Sequence, residues 1–226
     1  MTIQSVSIKR LRPTQIAVGQ KLVRMKRKGL RVLEGKPQEL IDFILVHPIK
    51  VVLGPESLIY VIDHHHLALA LLKERFKTSP VEVAADYSTL SVPDFWIKMA
   101  LQQWVYPFDN KGREMTVADI PARLEDLTDD PYRSLATCVR MAGGYAKTET
   151  PFVEFRWANY FRLLIKVKQL AGNFKGCVVK AQKMAHLPDA VNLPGYMSEN
   201  HANPKAKLAA KQIKTAKASS MPQVRS

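Results

Sequence analysis

The sequence predicts an α+β protein, an N-terminal α/β unit followed by an all-helical C-terminal portion. Two observations carry this reading. Two apolar, β-branched runs, Ile49 to Leu53 and Leu58 to Ile62, flank the turn-forming group Gly54, Pro55, Glu56 and Ser57, and they stand among helix-period segments. From about residue 91 the strand signals disappear and amphipathic helical patterns take over.

In chain order, Val6 and Ile8 suggest a short strand and Pro13-Thr14-Gln15 a turn. Residues 18–33 form a basic helix with Leu22, Met25, Leu30 and Leu33 as its apolar residues. Pro37 fits the first turn of a second helix, where Leu40, Ile41, Ile44 and Leu45 recur at three and four spacing until His47 and Pro48 end it. The two β-branched runs make a hairpin or an edge-and-core pair. Residues 64–76 read as a helix, because Leu67 with Leu71, and Ala68 with Leu72 and Phe76, repeat every fourth position. Val81, Val83 and Ala85 alternate as a strand.

Helices are expected beyond that point at 93–104, 131–142, 152–169 and 174–186. Ser91 with Asp94 resembles a capping pair, Asp130 before Pro131 an N-cap, and Gly143-Gly144 a stop. Trp96, Trp104, Phe152, Phe155, Trp157 and Phe161 read as core. The expected organisation is an α/β domain over 1–90, a helical domain over 91–195 packed on it, and a basic, flexible tail over 196–226.

The 226 residues carry 34 Lys plus Arg against 20 Asp plus Glu, a net charge of +14. Residues 9–36 hold ten of the bases and a single acid, Glu34. The last 27 residues add six more bases and no acid. Such clusters attract polyanions and make binding fall with salt, so nucleic acid is the expected partner, with Arg24, Lys26, Arg27, Lys28 and Arg31 as contacts. Cys138 and Cys177 are the only cysteines, which excludes a disulfide-stapled scaffold and favours a reducing compartment. No stretch reaches the roughly 18 apolar residues of a membrane span, and the first residues lack the apolar block of a secretory signal. The expectation is a cytoplasmic chain with no membrane partner.

The sharpest chemical feature is Asp63-His64-His65-His66, placed where a strand ends and a helix begins. A helix N-terminus presents unpaired N–H groups and partial positive charge, so it stabilises a phosphate. Imidazoles there can donate to phosphate oxygens or move protons. Asp63 can hold Mg²⁺ or Mn²⁺, or accept a proton from a nucleophile. The plainer alternative makes Asp63 an N-cap and the histidines satisfied polar residues. No HExxH, CxxC, Walker loop, GxGxxG or GxSxG occurs.

The segment PIKVVLGPESLIYVIDHHHLALALL, from Pro48 to Leu72, resembles the nucleotide-phosphate box of the ParB/sulfiredoxin superfamily. RPTQIAVG at 12–19, DFWIKMALQQWVYPFDNKGR at 94–113 and the block at 129–161 are similar to its branch of ParB-like nucleases. The likeness runs from Arg12 to Leu187. It implies a ParB/sulfiredoxin-like N-terminal α/β domain with a helical C-terminal portion, and a phosphate held at the strand-to-helix turn.

In relatives reading Asp-Gly-His-His-Arg, the histidines and arginine touch phosphate. Here the glycine is His64 and the arginine is Leu67, while Asp63, His65 and His66 match. The missing bidentate clamp points to replacement cations in the helical half, Arg133, Lys147 and Arg156, each of which also suits a surface ion pair.

Three functions follow as expectations. The first is a phosphate-ester enzyme acting on nucleic acid or nucleotide, with Asp63, His65 and His66 catalytic, Asp63 the metal ligand, and His64, Arg133 and Lys147 binding phosphate. The second is a non-catalytic DNA-binding or partition accessory. The third is a nucleotide-dependent kinase of a small hydroxy compound such as serine.

Overall fold

The computed structural model describes residues 2–46 and 48–198. His47, Glu199 and the residues after it, including the tail lysines, lie outside the described residues. The chain divides into two compact units, one ending at Ser134 and the other beginning at Leu135. The change from strands to helices expected near residue 90 therefore falls inside the first unit.

The first unit opens with β1 (Thr2–Ser7), β2 (Leu11–Arg12), β3 (Ala17–Val18), α1 (Gln20–Val32) and α2 (Pro37–Val46). It continues with β4 (Ile49–Leu53), β5 (Ile59–Val61), α3 (His65–Lys73), β6 (Thr78–Asp86), α4 (Val92–Leu101) and β7 (Thr128–Asp129). Five strands form a mixed sheet in the order β1-β6-β4-β5-β2. The expected hairpin is present, because β4 pairs antiparallel with β5 through Val52 and Tyr60. β1 runs antiparallel to β6, and β4 lies parallel to β6 with a register shift between Val51 and Val52.

Alternation along β4 sorts side chains to the two faces of the sheet. Val51 joins a core with Ile49, Val61, Val81 and the buried run Leu67 to Leu71 of α3, over which α1 places Val23 and Leu30. Val52 faces a second cluster with Phe95 and Met99 of α4, edged by Tyr60, Trp96 and Trp104. Each fully buried aliphatic or aromatic side chain here contributes roughly 1.5–3 kcal/mol. Ser91 caps α4 as expected, accepting from the Asp94 N–H at 3.3 Å.

The two-residue strands β2, β3 and β7 escape sequence reading. Ala17-Val18 of β3 pairs parallel with Thr128-Asp129 of β7, and the segment around β7 carries no apolar alternation of its own. Met25, one of the four apolar residues expected to mark α1, is 44% exposed, whereas Val23 is fully buried.

α5 (Pro131–Met141) begins in the first unit, with Asp130 Oδ1 accepting from the Tyr132 N–H at 2.9 Å as the expected N-cap. The second unit holds α6 (Val153–Leu164), α7 (Val167–Gly172) and α8 (Phe174–Met184). The single helix expected over 152–169 is two, broken where Ile165 adopts an extended conformation. Tyr145 stacks on Trp157 at 4.3 Å between ring centroids, and the Trp157 indole N–H donates to the Pro194 carbonyl at 2.9 Å. Among the described residues no helix is long and apolar enough to cross a membrane.

Candidate functional site

β5 delivers the chain to α3 through Ile62, Asp63 and His64. His64 is the N-cap of α3 at φ 65° and ψ 29°, in the left-handed region. A residue with a Cβ loses about 1–2 kcal/mol there, although histidine is among the types enriched in it. The His64 Nδ1–H donates to the Pro48 carbonyl at 2.8 Å, which fixes the ring against the start of β4. Asp63 Oδ1 accepts from the His64 N–H at 2.6 Å, and its side chain remains 62% exposed.

His65 and His66 turn inward. They are 6% and 9% exposed, and each gives its Nε2 to a backbone donor in the segment 14–19. The Thr14 N–H donates to His65 at 3.2 Å and the Gly19 N–H to His66 at 3.1 Å. The Thr14 hydroxyl donates to the Val61 carbonyl at 2.7 Å, closing the segment onto β5.

An imidazole nitrogen that accepts from a fixed N–H must stay unprotonated, and burial works in the same direction. Burial, reinforced by the charge of Arg133, pushes the His65 ring down to about 3. Burial first, then Arg133, His65 and Lys26, holds His66 well below its ordinary range. The proton-transfer role expected of His65 and His66 therefore does not suit their surroundings. They are neutral acceptors that pin the segment 14–19 to the first turn of α3. No hydrogen bond engages the N–H groups of His65 and His66 among the described residues, so that first turn keeps two donors.

Three helix N-termini meet around this segment. Gly19 caps α1, and the next N–H, that of Gln20, donates to Asp129 Oδ1 at 2.9 Å. Asp130 caps α5, and its own N–H donates to the Val18 carbonyl at 2.8 Å. Arg133 stands in the first turn of α5, and its charge reaches both His65 and His66. Sequence reasoning had Arg133 only as a candidate for replacing the missing arginine. Lys147, the other candidate, is an exposed residue of the second unit, as is Arg156.

Five cations of α1, those from Arg24 to Arg31, separate into three groups. Arg27 and Arg31 close on Glu74 at the end of α3, at 2.5 and 2.8 Å. Arg24 and Lys28 are exposed and carry no ion pair among the described residues. Lys26 lies between Leu22 and Leu30 on the inward stripe, where burial lowers its pKa against the opposing pull of Asp63. It was expected as a surface contact. The helical spacing of 22, 26 and 30 already places it on the core side.

No group of three or more His, Cys, Asp or Glu side chains that could hold a metal ion forms among the described residues. Asp63 brings one exposed carboxylate. That suits Mg²⁺ or Mn²⁺ only in the manner of ions held by a carboxylate together with substrate phosphates.

A family model described as "Putative ParB-like nuclease" matches residues 4–163. The crystal structure of protein Atu1540 from Agrobacterium tumefaciens is similar, with a TM-score of 0.79 and 39% identity over 88% of this chain and 99% of that one. No curated protein matches the sequence.

Proposed function

Since the chain belongs to the ParB-like nuclease family, we propose that it seats a phosphate group of a nucleotide or nucleic acid on the first turn of α3 and acts on the phosphate ester there. The observation that carries this reading is the pair of open N–H groups in the first turn of α3 next to an exposed carboxylate, Asp63, with the charge of Arg133 reaching His65 and His66. Helix N–H groups and guanidinium would bind the anion. Asp63 would accept the proton of the attacking hydroxyl, because it is the group of the quartet with an open, acceptor-only oxygen. Where Mg²⁺ or Mn²⁺ takes part, Asp63 and the phosphate would hold it together and it would neutralise phosphate charge. His65 and His66 serve the seat indirectly, by fixing the segment 14–19.

The locked imidazoles also favour a second reading, binding without chemistry. Two measurements separate the readings. Calorimetric titration of nucleotides and short DNA, with and without Mg²⁺ or Mn²⁺, reports the seat. Hydrolysis of supercoiled DNA, single-stranded DNA and nucleotides reports chemistry. The enzyme reading expects turnover that Asp63→Asn removes while binding persists. Binding with no turnover above that of Asp63→Asn selects the second reading, and no binding of any of these ligands rejects both.

A further inference from the structure

A cavity of about 330 Å³ opens where the last turn of α1 meets the end of α3. Leu30, Leu33, Leu40 and Phe76 give it apolar walls. Leu30 is 3% exposed, and Leu40 and Phe76 pack against the core of the first unit. Three charged side chains complete the lining, Arg31, Glu34 and Glu74. Glu74 is fully engaged, since Oε1 accepts from Arg27 Nε at 2.5 Å and Oε2 from Arg31 Nε at 2.8 Å. Arg31 gives only its Nε to that contact, so the two Nη groups at the end of its fork make no hydrogen bond among the described residues. The exposed Glu34 carboxylate likewise has no hydrogen bond or ion pair among the described residues.

We propose that this cavity binds a small zwitterion with an apolar side chain, the chemistry of a free aromatic or branched α-amino acid. The site is separate from the Asp63 turn and independent of the phosphate reading. α1 and α3 meet that turn with their first residues, where Gly19 donates to His66, and the cavity with their last. From His66 to Glu74 the rise along the helix is roughly 12 Å. An apolar cavity of about 150 Å³ holds a benzene ring. About 330 Å³ therefore has room for a ring or branched chain together with its charged end. The Arg31 Nη pair can take a carboxylate bidentately. Glu34 follows the C-cap Leu33, where the negative end of the helix dipole adds to its own pull on an ammonium. An aryl carboxylate would leave Glu34 unanswered and set a second negative charge beside it, and an aryl amine would leave the Arg31 fork open. A zwitterion answers both and brings no net charge.

The test uses the full chain, labelled with ¹⁵N and titrated with L-phenylalanine while amide shifts are followed by NMR. Saturable shifts are expected around Leu33, Glu34 and Phe76, with a Kd of about 1 mM or tighter, as befits a ligand of this size. 3-Phenylpropionate lacks the ammonium and phenethylamine the carboxylate, and each is expected to bind about fivefold or more weakly, the worth of one exposed charge-assisted contact. Glycine, which lacks the side chain, is expected to lose more than about tenfold. Glu34→Gln should weaken phenylalanine and leave 3-phenylpropionate no weaker, whereas Arg31→Met should weaken phenylalanine and leave phenethylamine unchanged. Glu34→Gln should melt with the wild type, since that carboxylate makes no contact to lose, and this keeps a folding defect distinguishable.

No saturable shift at about 10 mM phenylalanine overturns the proposal. So do shifts confined to residues away from the cavity, or phenylalanine binding that neither variant weakens. Binding of either single-charge analogue as tightly as phenylalanine overturns the zwitterion, and glycine binding as tightly overturns the apolar side chain.

Discussion

The backbone N–H of Gly19 donates to Nε2 of His66 at 3.1 Å, joining residues 47 positions apart in the chain. His65 makes the equivalent bond with Thr14 at 3.2 Å. Both bonds require a neutral ring in the folded state, while in the unfolded chain the rings titrate near 6.5. The folded pKa is depressed, so the unfolded state binds more protons between the two values and stability falls as pH drops through that range. The His65 window runs from about 6.5 down to about 3. The carboxylates held low in the fold by hydrogen bonds, such as Glu74 and Asp86, titrate in the unfolded chain near the ordinary carboxylate range and begin to weigh only there and below, so pH 5 to 6.5 chiefly reports the histidines. Chemical denaturation across that interval should show a slope that steepens toward about 1.4 kcal/mol per pH unit for His65, with His66 adding in the same direction. His65→Gln and His66→Gln, which keep an acceptor and remove the titration, should flatten it.

Gly19 is required for space rather than for backbone freedom. Its φ is −78°, open to any residue, but a Cβ there would fall within contact-breaking distance of the Ser134 hydroxyl and backbone. Gly19→Ala should cost about 1–3 kcal/mol in equilibrium unfolding, the usual range for overpacking. Gly29→Ala, where a Cβ meets nothing within 4 Å and the helix gains propensity, should stabilise slightly.

At His64 the left-handed backbone and the bond to Pro48 contribute separately. His64→Gly loses the bond and relieves the backbone, whereas His64→Ala loses the bond and keeps the unfavourable conformation. Thermal melts should place the alanine variant below the glycine variant by roughly 0.5–1 kcal/mol.

The sorting of charges on α1 predicts unequal effects on DNA affinity. Arg24 and Lys28 stand ready for phosphate, while Arg27 and Arg31 would first have to leave Glu74. Removing Arg24 and Lys28 together should lower the slope of log K against log salt by about 0.9 for each lost phosphate contact. Removing Arg27 and Arg31 should lower it less, and Glu74→Gln should raise it. A duplex filter-binding series over a range of salt concentrations distinguishes these outcomes.

Much of the first unit is legible because each element has its own period. The β-branched runs either side of Gly54 become β4 and β5, and Ser91 with Asp94 marks the start of α4. The turn at Asp63 is legible as a strand-to-helix junction. What three consecutive histidines do there is not, since an imidazole reads alike whether its partner is a ligand or the Gly19 amide. That partner comes from a segment whose placement is set by tertiary pairing. β3 and β7 are illegible for the same reason, being two residues each with nothing local to specify them. Lys26 was open to sequence reading, but ten bases in one stretch draw attention to charge and away from the wheel position.

The pairing of β3 with β7 also fixes when the site exists. Its hydrogen bonds span 109 residues from Gln20 to Asp129 and 112 from Ile16 to Thr128. Contacts of such separation close late, after local helices and hairpins have formed. During synthesis, a nascent polypeptide that has not released Asp129 and Arg133 from the ribosome holds the Asp63 turn without the far side of its cradle. The proposed anion seat would therefore belong only to the completed first unit, since its two sides come from opposite ends of that unit's synthesis.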